Sequence, residues 1–311
     1  MNISVLANEV YPFVPALKEE FPTCSFTCGK ENLENADIIW GYLPATKLKS
    51  LPKLKWLQLA MAGADAYKKE LCPHNLLITT ASGAYTYSIA EYMLAGHMAL
   101  YRNLHLFRDL QRKHIWDTAG PVRTVKGCTV LIYGMGSIGM AYAELVKGMG
   151  ATVIAIRRKN SEKPACIDEI YLADDETNVK KAFSRADVVA ITAPGTSKTA
   201  NLFNDEVFAS MKTSSILINV GRGSIVDMTA LMRVLTQGKL SGAVLDVVTP
   251  EPLPQDHPLW DMDNVILTNH NAGGYGLAEI EQIKRDIFSR NLKRYLANEP
   301  LENVVDITEG Y

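Results

Sequence analysis

The sequence has no excess of positive charge and no long apolar run. Its 311 residues carry 32 lysines and arginines against 34 aspartates and glutamates, which gives a formal net charge of −2. Nucleic acids and anionic membranes attract clustered positive charge, so this balance argues against both partners. The most apolar window, 89–101, is interrupted by Glu91 and His97 and is too short to span a bilayer. The N-terminus has no basic segment, and we interpret it as a first strand rather than a signal peptide.

Cysteine is scarce and occurs in an odd number. The five cysteines are Cys24, Cys28, Cys72, Cys128 and Cys166. This count predicts reduced thiols and a cytoplasmic protein rather than a disulfide framework. The pair Cys24 and Cys28 resembles half of a metal site. No second cysteine pair or close pair of histidines completes it, so we expect no metal.

Repeats and low-complexity tracts are also lacking, and the length suits two domains. Short β-branched runs alternate with amphipathic stretches, which is typical of parallel α/β domains. The candidate strands are 3–6, 37–40, 56–59, 77–80, 129–133, 152–156, 169–172, 187–192, 215–220, 242–246 and 265–268. The later strands are apolar on both faces, which predicts helices on both sides of their sheet.

One predicted helix precedes the predicted second domain, and another follows it. The first begins near Ser88 and carries an apolar stripe at helical spacing: Ile89, Met93, Leu100, Leu104 and Phe107. The polar stretch 111–124 then predicts the passage into the second domain. The last helix, 278–296, has its own apolar stripe. We expect it to return to the first domain, which would make that domain discontinuous.

A glycine motif follows the strand at 129–133. It consists of Gly134-Met135-Gly136-Ser137-Ile138-Gly139. Gly134 permits a tight turn, Gly136 lets the backbone approach a pyrophosphate, and Gly139 lets a helix lie close to the strand. The free N–H groups of the helix start, at Ser137 and Ile138, favour phosphate binding. Strand and helix flank the motif as dinucleotide binding requires, although a tight turn without a ligand is the alternative.

Arginines end the next strand. Dinucleotide-binding units usually carry an acid there, which accepts a hydrogen bond from the ribose 2′-hydroxyl. Here Arg157 lies 18 residues after Gly139, and Arg158 follows it. Guanidinium groups suit the 2′-phosphate of NADP, so we predict that NADP is preferred and that NAD is possible. The alternative is a solvated basic loop.

Three further candidate strands are each followed by polar residues, among them Arg222, Glu251 and His270. Since carboxyl ends of parallel strands line one crevice, we expect these side chains to converge near the cofactor. Arg222 can bind the carboxylate and the ketone of a 2-keto acid as a planar fork. His270 can supply the proton that follows hydride attack, and Glu251 would fix its tautomer. Singly, each residue has an ordinary structural interpretation.

Together these motifs resemble the D-2-hydroxyacid dehydrogenase family. The resemblance rests on Asn219-Val220-Gly221-Arg222-Gly223, Leu245-Asp246-Val247, Glu251-Pro252-Leu253, and His270 with Gly273-Gly274. It extends upstream to Ala62-Gly63-Ala64-Asp65 and Ala90-Glu91, and covers roughly residues 37 to 300.

The resemblance implies two doubly wound α/β domains, with a Rossmann cofactor domain inserted into a flavodoxin-like substrate domain. We place the substrate domain at 1–98, completed by 283–311, and the dinucleotide-binding domain at 99–282. The family implies Arg222, Glu251 and His270 as the catalytic set, and Asp246 near the nicotinamide carboxamide. It also implies backbone N–H groups around Ala62-Gly63 for the substrate carboxylate, a cleft between the domains as the active site, and a homodimer joined through the cofactor domain.

The sequence departs from the family pattern at two positions, and two alternative functions are consistent with its fold. Arg157 replaces the usual acid, and Asn269 replaces the proline that commonly precedes the catalytic histidine. A formate-oxidising relative is disfavoured because the partner of its histidine resembles a glutamine, whereas this chain has Glu251. A dinucleotide-sensing scaffold of the same fold is the other alternative; such scaffolds carry extra tails. The sequence does not reveal which 2-keto acid is reduced.

Overall fold

The computed structural model describes residues 1–73, 75–160, 162–274 and 276–307. The chain separates into two compact units, unit 1 from Met1–Tyr85 with Tyr275–Tyr311, and unit 2 from Thr86–Gly274. The polar stretch 111–124 therefore lies inside unit 2, and the division falls ahead of the first long helix. No helix among the described residues is long and apolar enough to cross a membrane.

Strands and helices alternate along most of the chain. The strands are β1 Asn2–Val5, β2 Ser25–Cys28, β3 Ile38–Trp40, β4 Trp56–Gln58, β5 Leu77–Thr79, β6 Thr129–Tyr133, β7 Thr152–Arg157, β8 Glu169–Leu172, β9 Val188–Ile191, β10 Ile216–Asn219, β11 Gly242–Leu245 and β12 Val265–Leu267. The α-helices are α1 Val14–Glu20, α2 Thr86–Tyr101, α3 Leu104–Arg112, α4 Ser137–Gly148, α5 Glu176–Arg185, α6 Asp205–Ser210, α7 Met228–Thr236 and α8 Ala278–Leu296. Short 3₁₀ helices span Asn8–Phe13, Leu33–Asn35, Ala45–Ser50, Gly223–Ile225 and Pro258–Asp261.

In the described part of unit 1, five parallel strands form a sheet in the order β2-β1-β3-β4-β5. This is the strand order of flavodoxin-like folds. Helix α8 completes the core on one face. Its Phe288 is fully buried and stacks on Trp40 with ring centroids 4.3 Å apart, and on Trp56 at 5.6 Å. Burying aromatic rings of this size contributes several kcal/mol, on the order of 25 cal/mol per Å² of apolar surface.

In the described part of unit 2, seven parallel strands form a sheet in the order β12-β11-β10-β9-β6-β7-β8. Read from β8, the order is 3-2-1-4-5-6 with one added strand, which is the Rossmann arrangement. The predicted fold class is therefore confirmed. Because every strand is parallel, the carboxyl ends of β6, β10, β11 and β12 lie at the same edge of the sheet.

The long apolar stripe of the sequence analysis is wrong beyond residue 101. Helix α2 ends at Tyr101, and Asn103 adopts a left-handed conformation with φ 52° before α3 begins. Leu104 and Phe107 lie on α3, where they are 55% and 41% exposed. The helical spacing of the apolar residues continues past residue 101, but the left-handed conformation of Asn103 ends α2 and changes the direction of the chain. Strand β2 was not predicted, since only Phe26 of its four residues is buried.

Helix α2 packs on α4 through a buried histidine. His97 is fully buried, and its Nδ1 lies 2.9 Å from the hydroxyl of Tyr142. Its Nε2 has no hydrogen-bond partner within the described chain. Burial, with a contribution from the positive charge of Arg123, lowers the pKa of His97 to about 4. The interface therefore requires a neutral imidazole.

This requirement predicts an acid-sensitive fold. The unfolded chain takes up the His97 proton near pH 6.5, whereas the folded chain resists protonation until about pH 4. Between those values the unfolded state binds more protons, so the free energy of unfolding falls as pH falls, by at most about 1.4 kcal/mol per pH unit. Urea unfolding from pH 7 to 4 should show a shallower decline in His97→Gln than in the wild type. Parallel declines in both proteins would exclude this role.

Candidate active site

The glycine motif forms the turn between β6 and α4. Gly134 has φ 104°, and a Cβ atom there would lie 2.6 Å from the backbone nitrogen of Ala193. Gly136 precedes the first turn of α4, where it is exposed and where a Cβ would meet nothing within 4 Å. The first amides of α4, from Ser137 onward, have no intrahelical acceptor and no side-chain cap. Open space before uncapped amides fits a pyrophosphate group.

The predicted packing of Gly139 is also present. A Cβ atom at this position would clash with the carbonyl oxygen of Gly134 and lie 2.8 Å from Thr192 Oγ1. The Thr192 hydroxyl donates to the same Gly134 carbonyl. Thr192, directly after β9, therefore holds the turn in place, which keeps the start of α4 at the edge of the sheet.

Arg157 and Arg158 lie where the sequence places them. Arg157 is the last residue of β7 and is half-buried, whereas Arg158 is exposed. A guanidinium N–H of Arg157 donates to the Glu162 carbonyl oxygen at 3.2 Å. Arg157 thus helps to shape the loop after β7, and the exposed Arg158 follows it.

Arg222 follows β10 in a tightly bonded turn. The buried Asn219 accepts from the Gly221 N–H at 3.1 Å and donates to the Arg222 carbonyl oxygen at 3.1 Å. The backbone of Gly223 packs against the Val248 carbonyl so closely that any side chain would clash. These contacts fix the backbone from which the half-buried Arg222 side chain projects at the sheet edge.

Glu251 and His270 form a pair. The Nδ1 atom of His270 lies 2.9 Å from Glu251 Oε2, and the two side chains are 50% and 37% exposed. The other carboxylate oxygen of Glu251 accepts from the Val248 N–H at 3.0 Å. With Nδ1 bonded to a carboxylate, Nε2 is the ring nitrogen available for proton exchange. Exposure leaves it accessible to a small molecule.

Asp246 holds the loop that carries His270. Its buried carboxylate accepts from the backbone N–H of Asn271 at 2.7 Å and that of Ala272 at 3.0 Å. Its carbonyl oxygen accepts from the His270 N–H at 2.8 Å. His270 has φ 58°, a left-handed conformation that costs an L-residue about 1 kcal/mol or more. Asp246 therefore stabilises a strained backbone at the site.

Sequence reasoning missed two residues of α2 that contact this loop. The Ser88 hydroxyl donates to the Gly273 carbonyl at 2.9 Å, and the Tyr92 hydroxyl lies 2.6 Å from Thr268 Oγ1. Ser88 and Tyr92 are four residues apart and so share a helix face. This spacing could have shown that the two side chains lie on one face of the helix. The sequence around them does not show which loop packs against that face.

Ala62 and Gly63 lie in unit 1, on the loop after β4, whereas the other predicted site residues lie in unit 2. Ala62 is exposed and Gly63 half-buried. Two hydrogen bonds just before these residues fix the start of their loop: Tyr85 donates its hydroxyl proton to the Ala60 carbonyl at 2.9 Å, and the Ala81 N–H donates to the Met61 carbonyl at 2.9 Å.

Known proteins resemble the chain over nearly its whole length. A model of the NAD-binding domain of D-isomer specific 2-hydroxyacid dehydrogenases matches residues 94–272. A solved protein of that family from Aeromonas salmonicida is 31% identical, with a TM-score of 0.87 and coverage of 98% of this chain and 99% of that one. The NADPH-dependent glyoxylate/hydroxypyruvate reductase of Sinorhizobium meliloti, solved with NADP and sulfate, is 26% identical, with a TM-score of 0.84 and coverage of 100% and 99%.

A glyoxylate reductase of Thermofilum pendens is 30% identical over 265 residues, which are 83% of this chain and 76% of that protein. The glycine turn, the polar strand ends and these similarities agree. The chain belongs to the D-isomer specific 2-hydroxyacid dehydrogenase family of NAD(P)-dependent oxidoreductases.

Proposed function

We propose that the protein reduces a small 2-keto acid to the D-2-hydroxy acid with NADPH, and that His270 is the acid/base group. The observation that carries this proposal is the His270–Glu251 pair, 2.9 Å apart at the sheet edge that also bears the glycine turn. An imidazole that is paired through Nδ1 and can exchange a proton at Nε2 is what reduction of a carbonyl requires.

Substrate binding is assigned to Arg222 and to the Ala62-Gly63 loop. A guanidinium offers paired N–H donors that match the carboxylate and the adjacent ketone oxygen of a 2-keto acid. The bonds of Asn219 to both ends of the turn hold the Arg222 backbone in place. Its guanidinium donates to the Gly221 carbonyl at 2.7 Å, so this group would reorient to bind a substrate. The N–H groups of Ala62-Gly63 are proposed to bind the same carboxylate.

Proton transfer is assigned to His270. When bound, the nicotinamide supplies a hydride for the ketone carbon, so negative charge develops on the ketone oxygen. Protonated His270 donates its Nε2 proton to that oxygen, and Glu251 stabilises the imidazolium before transfer. In the opposite direction the same nitrogen accepts the hydroxyl proton. Asp246 fixes the loop and is proposed to lie near the nicotinamide carboxamide.

A panel of small 2-keto acids tests the proposal, glyoxylate and hydroxypyruvate among them, each assayed with NADPH and with NADH. We expect D-2-hydroxy acid formation with at least one of them, and a higher kcat/KM with NADPH. The Sinorhizobium meliloti relative is named for this cofactor and these substrates, which supports the choice. Absence of turnover on the whole panel, in a protein that binds NADPH, would favour the scaffold function.

A homodimer is the proposed assembly, and an exposed apolar surface of unit 2 supports it. Its members are Leu104, Phe107, Ile115, Trp116 and Val122, which are 41% to 103% exposed. Large exposed apolar side chains concentrated in one stretch of chain, here 104–122, are typical of interaction surfaces. Sedimentation equilibrium should give about twice the chain mass of 34.3 kDa.

Charge placed on this surface should break the dimer. We expect Leu104→Glu with Phe107→Glu to sediment as a monomer, because burying two unpaired carboxylates is costly. Met149→Glu alters an apolar side chain of similar exposure, 37%, outside this surface and should remain dimeric. A concentration-independent wild-type mass near 34.3 kDa would refute the assembly.

A further inference from the structure

Three consecutive hydroxyl and carboxylate groups connect α2 to the His270 loop. The Tyr92 hydroxyl lies 2.6 Å from Thr268 Oγ1, and Thr268 Oγ1 donates to Asp246 Oδ1 at 2.6 Å. The same Asp246 oxygen accepts from the N–H groups of Asn271 and Ala272. The connection thus runs from a helix outside the catalytic set to the two backbone N–H groups that directly follow His270.

The direction of these hydrogen bonds follows from the donors available. The Thr268 hydroxyl has one proton and uses it on the carboxylate, so Thr268 Oγ1 must accept from Tyr92. Burial, with the negative charge of Asp246, raises the pKa of Tyr92 to about 12. The phenol therefore keeps its proton, and remains a donor, across the pH range of enzyme assays. Tyr92 is therefore the first donor of a hydrogen-bond relay in which Tyr92 donates to Thr268 and Thr268 donates to Asp246.

We propose that Tyr92 is a positioning residue for His270, acting through the hydroxyl of Thr268 and the carboxylate of Asp246. This inference rests on the proposed role of His270. Tyr92 does not touch the reacting atoms; it orients the Thr268 proton toward Asp246, and Asp246 then holds the loop residues Asn271 and Ala272.

The conformation of His270 explains why such a relay matters. Its left-handed backbone is retained only because surrounding contacts determine it. Three of those contacts come from Asp246, and the relay sets the orientation of the Asp246 carboxylate. If the relay is cut, the loop relaxes, and the 2.9 Å contact between His270 and Glu251 lengthens. The loss should appear in proton transfer rather than in cofactor binding.

Tyr92→Phe removes only the donor. We expect kcat to fall about 10-fold, the scale of one lost hydrogen bond, while the KM for NADPH stays within about two-fold. Thr268→Val should cost at least as much, whereas Thr268→Ser keeps the hydroxyl and should retain most of the activity. Because the relay is serial, adding Tyr92→Phe to Thr268→Val should cause no further loss.

The matched control is Tyr101→Phe. Tyr101 lies on the same helix and is buried, but its ring packs on His97 and Arg123 rather than on the His270 loop. It should keep the wild-type kcat. A Tyr92→Phe variant with wild-type kcat, or with equal losses in kcat and in affinity for NADPH, would overturn the inference. Additive losses in the double variant would show that Tyr92 and Thr268 act separately, which also contradicts it.

A second measurement does not depend on turnover. The relay predicts faster amide hydrogen–deuterium exchange in the peptide spanning 268–274 of Tyr92→Phe, by about 10-fold, with no change in Tyr101→Phe. If the wild type reduces no 2-keto acid, the proposed function fails, and exchange still decides whether Tyr92 holds the loop. If the wild type is active and exchange is unchanged in Tyr92→Phe, the relay fails alone.

Discussion

Replacing His270 by alanine is expected to lower kcat for 2-keto acid reduction by ~10²- to 10⁴-fold, the usual contribution of a general acid. The Kd for NADPH should change by less than about two-fold, since the groups proposed to bind it, the glycine turn and the arginines at the end of β7, lie at other strand ends. The two quantities are measured by steady-state turnover and by fluorescence titration of NADPH. A large loss in kcat with intact cofactor binding places His270 in the chemical step.

Asparagine is the better-matched replacement at this position. His270 has φ 58°, and asparagine adopts left-handed conformations more readily than alanine. His270→Asn should therefore preserve the loop and show the same loss in kcat. His105→Gln, on α3, changes a histidine outside the site and should leave kcat unchanged. If either His270 variant keeps half of the wild-type kcat, the proton comes from another group.

The double variant Arg157→Ala, Arg158→Ala is expected to raise the KM for NADPH by ~10-fold or more and to leave that for NADH nearly unchanged. The 2′-phosphate adds negative charge that a guanidinium binds through charge-assisted hydrogen bonds. The wild type should accordingly prefer NADPH. Initial rates at varied concentrations of each cofactor measure both effects.

Single variants separate the two arginines. Because Arg157 donates to the Glu162 carbonyl, its loss should also disturb the loop after β7. Arg158→Ala measures how much the exposed second arginine contributes to the KM for NADPH. Arg233→Ala removes a guanidinium that pairs with Asp205 and should affect neither KM. Equal losses with both cofactors would show that the pair supports the loop, and a wild-type preference for NADH would refute the assignment.

Much of the fold follows from sequence because its buried strands are continuous apolar runs. The runs around Val188 and Ile216 predicted the parallel sheet of unit 2, and the pattern of α8 predicted its bounds. The local hydrophobic pattern failed to predict the structure where the burial of a residue depends on contacts with remote parts of the chain. Leu104 and Phe107 have the spacing of a core stripe but are exposed, and β2 buries only Phe26 of its four residues.

The same distinction holds for the site. The pairing of Glu251 with His270 could be predicted because each follows a recognisable strand and parallel strands end together. The catalytic roles of Arg222, Glu251 and His270 stay predictions. The loop bonds of Asp246 could not be predicted, since they depend on how residues 268–272 return to it. Tyr92 was hidden for a similar reason: a tyrosine on an apolar helix is ordinary in sequence, and its partner Thr268 is remote along the chain.

The discontinuity of unit 1 sets an order of events during synthesis. Strands β1 to β5 leave the ribosome before unit 2, but Phe288 and Tyr295, which cover Trp40 and Trp56, emerge only after it. Unit 2 is continuous and can bury its own sheet while α8 is still untranslated. Strands β3 and β4 therefore present two tryptophans without their α8 cover throughout the synthesis of unit 2. We expect truncation before α8 to leave this apolar surface exposed and to make the chain aggregate.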